Sequence, residues 1–161
     1  MPEITPIGWV HTLLGIIALV SGVTALVRHK EIRLRDRSGK IYLAATLITA
    51  GTALLIFQHG GFGPGHSLAV LTLLALATGA VASTTGLFGK LSRYVRALAF
   101  SSTLLFHCIP AVTDASLRLP VGDPLATSIE DPVVRTAYLI LLIAFLIGIT
   151  LQLRWIYKQT A

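Results

Sequence analysis

Five long apolar runs dominate this chain, and each is long enough to cross a bilayer. A span needs about 20 mainly apolar residues. The runs are Trp9–Val27, Ile41–Gln58, Ser67–Phe88, Val95–Thr113 and Val134–Leu153. Only 12% of the residues are charged, against about 25% in a soluble domain. The charges fall between the runs. The expectation is an all-α integral membrane helical bundle of five transmembrane helices, forming one unit over residues 1–161. Residues before Trp9 carry no Lys or Arg, whereas a signal peptide opens on a positive segment. The first run therefore reads as a retained helix.

Basic residues set the orientation, because cytoplasmic loops are enriched in Lys and Arg. Of the 13 Lys and Arg residues, only Arg118 and Arg135 fall on the side facing away from the first connection. That side also carries Glu3, Asp114, Asp123, Glu130 and Asp131. The pattern places the N-terminus out and the C-terminus in. It suits a multi-pass protein of the bacterial inner (cytoplasmic) membrane. The net charge of +6 is then explained by basic loops at anionic lipid heads, with no nucleic acid as partner. Trp9, Tyr42, Tyr94, Tyr138, Trp155 and Tyr157 fall near span ends, as interfacial anchors do.

The connections differ in character. Arg28–Lys40 is basic. His59 and His66 bracket a glycine-rich outer turn. The outer loop 114–133 is long and carries Pro120, Pro124 and Pro132. Loops of that length are usually functional or disordered, so it is a candidate lid. The lone Cys108 excludes an internal disulfide and any CxxC motif.

In the first span His11, Gly15, Ala18 and Gly22 share one helical face. Small residues let helices approach closely in lipid, so His11 is expected to point into the bundle. Thr46, Thr49 and Thr52 form a second stripe, either a packing surface or a polar track. His107 counts about 18 Å along the fourth span and His11 about 24 Å along the first, so the two lie at similar depths. Pro110 is expected to disrupt the helix just after His107. Asp114 and Arg118 either pair with each other, or Arg118 anchors an anion such as a propionate or a quinone-like head group.

Imidazole is costly in hydrocarbon without a partner, so these histidines raise a site hypothesis. Haem b near the outer face would use His11 and His107 as ligands, with Arg118 as a weaker anchor, in electron transfer with a quinone or redox partner. A Zn or Cu site would draw on His11, His59, His66, His107 and Asp114. In a third reading the histidines are unrelated, with His59 and His66 in a turn and the other two as buried hydrogen-bonders. A membrane subunit or small-molecule or metal permease would use the threonine track with an outer histidine entry. Paired intramembrane carboxylates, a phosphate loop and a Ser-His-Asp order are all missing, which weighs against soluble-enzyme chemistry. Homo-oligomerisation and an accessory role in a larger complex both remain open.

The His11–Gly22 face, the Arg37-Ser-Gly39-Lys40-Ile-Tyr42 entry to the second span and the Gly-rich turn resemble the bacterial integral membrane proteins grouped as DUF2306. The resemblance covers about the first half of the chain, with His107 matched loosely. It departs at Arg35-Asp36, where that family often has a histidine. It implies a multi-spanning membrane protein and no particular reaction. A looser likeness to cytochrome b561-type proteins rests on histidines inside apolar spans. A second, cytoplasmic-side pair is missing, so that likeness implies at most one haem.

Overall fold

A computed structural model describes residues 5–57 and 61–160. Among them the elements are α1 (Pro6–His29), α2 (Arg37–Ala53), α3 (Pro64–Thr84), α4 (Ser92–Arg118) and α5 (Pro132–Thr160), with a 3-10 turn, Gly89–Leu91, leading into α4. There is no strand among the described residues. The expected all-α class stands.

Four helices, α1, α3, α4 with its leading turn, and α5, are long and apolar enough to cross a membrane. The second expected span is a helix but a short one. It begins at Arg37 and stops at Ala53. Leu55 N and Ile56 N donate to Thr52 O and Ala53 O, and this i→i+3 tightening closes the helix early. Arg37 and Lys40 in its first turn dilute its apolar character.

Helices α1 to α4 form a ring in which each packs on its sequence neighbour and α1 closes against α4. Helix α5 lies outside the ring on α4. Small residues bring the ring together. Ala18 and Ala25 of α1 are fully buried. A Cβ on Gly22 would come within 2.7 Å of the Tyr42 ring, and one on Gly79 would clash with the Phe100 ring. The diagonal between α2 and α4 is filled by Tyr42 and Phe100, both closed off from solvent. Tyr42 is thus a core residue bonded to Thr103, not the interfacial anchor expected from its place near a span end. Large apolar side chains such as Leu13, Val20, Ile140 and Leu146 point outward. This outward apolar surface is what a bilayer solvates.

Helix α4 does not break at Pro110. It continues to Arg118, so the expected disruption is absent and the loop starts later than residue 114. Proline removes the donor that would reach Phe106 O, and a membrane helix tolerates that loss where neighbouring helices pack against it. One turn on, the Thr113 hydroxyl donates to Ile109 O at 2.7 Å and lies 2.6 Å from the Tyr138 hydroxyl of α5. The connection to α5 folds back on the end of α4. Ala126 N donates to Ser116 O at 3.0 Å, and Ala126 is buried.

Candidate functional site

The polar groups inside the ring converge on one face of α2. The threonines at spacing three belong to that face. Thr46 and Thr49 are buried, and Thr49 also bonds back to Ala45 O at 2.7 Å. His11 reaches this face from α1. Its Nδ1 lies 3.1 Å from Thr49 O and 3.2 Å from the Thr52 hydroxyl. A carbonyl only accepts, so Nδ1 carries the proton and Nε2 presents a lone pair. His107 reaches the same face from α4, with Nε2 3.1 Å from the Thr46 hydroxyl. It is buried, at 8% exposure. The Tyr42 ring packs edge-on against it, with centroids 6.3 Å apart.

One turn toward the start of α2 the polar line continues. The Tyr42 hydroxyl lies 2.6 Å from that of Thr103, and Thr103 also donates to Phe100 O. Beyond this, Ser101 donates to Gln152 Oε1 at 2.8 Å. Gln152 Nε2 in turn donates to Lys30 O at 2.7 Å.

The other expected site residues are elsewhere. His66 caps α3: its Nδ1 accepts from Gly63 N at 3.2 Å. Its ring lies 4.6 Å from that of Phe57 and 5.2 Å from that of Phe62. Its Nε2 is buried with no partner among the described residues. His59 lies outside the described residues. Asp114 is exposed and faces Arg118 one turn on, at 3.7 Å. This is the pairing that sequence spacing offered as the plain alternative to an anion anchor. Among the described residues no group of three or more His, Cys, Asp or Glu side chains gathers as a metal site would.

Glu31 carried no functional reading in the sequence. It sits in the first connection, 1% exposed. Arg93 donates to its Oε1 from Nη2 at 2.6 Å and from Nε at 3.1 Å. Arg96 donates to Oε2 at 2.8 Å. Burial alone would raise the Glu31 pKa. The hydrogen bonds and positive charge of Arg93 and Arg96 outweigh it and hold the carboxyl below its ordinary range. Arg93 also stacks over Trp155, 5.2 Å from the ring centroid. Three elements, the α1–α2 connection, α4 and α5, are thereby tied at one end of the bundle.

No family model, curated protein or solved structure matches this chain. The likeness to DUF2306 and to cytochrome b561-type proteins therefore rests only on the residues that suggested it.

Proposed function

We propose that the protein spans the bacterial inner membrane five times, N-terminus out and C-terminus in. In this reading it works as a small-molecule permease or permease subunit, not as an enzyme. Its site for a small polar solute is the pair His11 and His107 on the threonine face of α2, with half-buried His11 toward the outer side and buried His107 behind it. One observation carries this reading: two imidazoles from different helices turn to the same run of threonines. Such a surface offers donors and acceptors without a fixed carboxylate, which suits an uncharged polar solute. The basic first connection supports the orientation. At 17 residues, α2 is about 25 Å long, and a span of that length is accommodated by modest local thinning of the bilayer.

The test is solute flux in proteoliposomes, with glycerol and urea as probes. Wild-type vesicles should equilibrate at least one of them faster than empty vesicles. His11→Ala and His107→Ala should fall to the empty-vesicle rate. Equal rates for wild-type and empty vesicles would remove the permease reading.

A second reading has its own support. His11 gives its Nδ1 proton to a backbone carbonyl, as ligating histidines do with the nitrogen that does not bind metal. Its Nε2 and the Nδ1 of His107 have no hydrogen bond among the described residues. His11 Nε2 is the atom haem b would use, whereas His107 would ligate through its own Nε2 only by giving up the Thr46 hydroxyl. With both ligands in place the protein would pass electrons to a quinone or a redox partner. A Soret band that is lost in His107→Ala would establish this alternative in place of the first.

A further inference from the structure

Helix α5 packs on α4, and a groove of about 550 Å³ lies between α1, α4 and α5. Its walls are apolar, with Leu104 and Leu105 on one side and Leu141 and Phe145 on the other. At Gly148 a Cβ would meet nothing within 4 Å, so the missing side chain leaves the groove open there. Lining residues on α5 run from Leu141 to Trp155, about 21 Å of helix. That exceeds half of the roughly 30 Å hydrocarbon core, so one acyl chain of one leaflet can lie along it.

The groove is closed at one end by a polar and basic rim. Lys30, Gln152 and Trp155 line it there. Lys30 is exposed. Trp155 lies under the Arg93 guanidinium. Arg93 and Arg96 together bring two positive charges against the single carboxylate of Glu31, so the rim keeps a positive excess after that pairing. Gln152 is held in place by Ser101 and by the Lys30 carbonyl.

We infer that this groove is a binding site for one anionic phospholipid. An acyl chain lies along α5 past Gly148, and the phosphate sits at Lys30 beside Trp155. An anionic head, as opposed to a zwitterionic one, follows from the positive excess at the rim. The site is separate from the His11–His107 face and does not depend on what that face does.

The test is native mass spectrometry of the full chain released from nanodiscs of equal phosphatidylglycerol and phosphatidylethanolamine. Wild type should retain one phosphatidylglycerol, favoured over phosphatidylethanolamine by about fivefold, the size of one basic residue's contact with an anionic lipid surface. Lys30→Gln should lower that preference at least about twofold, the remainder coming from the Arg93–Arg96 excess over Glu31. Gly148→Leu should lose retention of either lipid while keeping its helical circular dichroism. If Gly148→Leu does not fold, the Lys30→Gln comparison decides alone. Equal retention of both lipids by wild type would overturn the inference, as would unchanged retention by folded Gly148→Leu. Displacement of phosphatidylglycerol by an equimolar isoprenoid quinone would also overturn it, by assigning the groove to a neutral ring.

Discussion

The Nε2 atom of His107 lies 3.1 Å from the Thr46 hydroxyl, which ties α4 to α2 across the diagonal of the ring. Both residues are buried, so neither has water as an alternative partner. Thr46→Val keeps the shape and removes the hydroxyl, leaving an imidazole nitrogen without its partner. The expected cost is about 1–2 kcal/mol. Thr46→Ser should stay near wild type. Thermal unfolding in one detergent, followed by circular dichroism, compares the two.

Glycine positions should separate by what surrounds them. Gly79→Ala puts a methyl group into the Phe100 ring and should cost about 1–3 kcal/mol as overpacking. Gly51, also in a helix, has open space at its Cβ. Gly51→Ala should be neutral or gain about 0.5–1 kcal/mol from backbone entropy. The melting temperatures should therefore move in opposite directions or differ clearly in size.

Glu31 centres the two-arginine cluster. Glu31→Gln leaves Arg93 and Arg96 without their counter-charge. Removal of one partner from a fully buried pair costs about 3–5 kcal/mol. Both guanidiniums here keep some water contact, at 28% and 21% exposure. The expected loss is therefore smaller, about 1–3 kcal/mol. Arg93→Lys should show a partial loss, because lysine cannot make the two bonds that Arg93 makes to one oxygen. Urea titration in detergent measures both.

The same carboxyl sets an acid limit. Its folded pKa lies below its ordinary value because Arg93 and Arg96 outweigh burial. A depressed pKa means the unfolded state binds the proton more readily, so folding is favoured above the unfolded value and the gain is lost as pH falls. The stabilisation should be complete above about pH 5 and decline as pH drops below about 4.3. Asp36 shifts the same way: burial opposes, and the Arg33 bond prevails. Melting curves from pH 7 to pH 3 should fall steeply for wild type and less steeply for Glu31→Gln. Parallel curves would show that Glu31 is not the group responsible.

Much of the fold was legible because it depends on local pattern. Apolar run length located the helices, and the His11–Gly22 face gave the side of α1 that meets the bundle. Residues whose role depends on distant partners were not legible. Glu31 looked like one charge in a basic loop until α4 brought Arg93 and Arg96 beside it, 62 and 65 positions away. Gln152 is bonded to α4 and to the end of α1, which no window along α5 reveals. Pro110 marks a lost backbone donor in the sequence, but whether the helix breaks there depends on the packing around it, and α4 continues to Arg118. Of the proposed histidine cluster, His11 and His107 meet at α2, whereas His66 is taken up by its own turn.

The meeting of two imidazoles on α2 is read most directly by ¹⁵N NMR of histidine-labelled protein in nanodiscs. His11 is expected as the Nδ1–H tautomer, and its signals should change in Thr52→Val. The His107 Nε2 signal should change in Thr46→Val and not in Gly51→Ala. Two histidines with averaged tautomers, unmoved by either threonine substitution, would contradict the site.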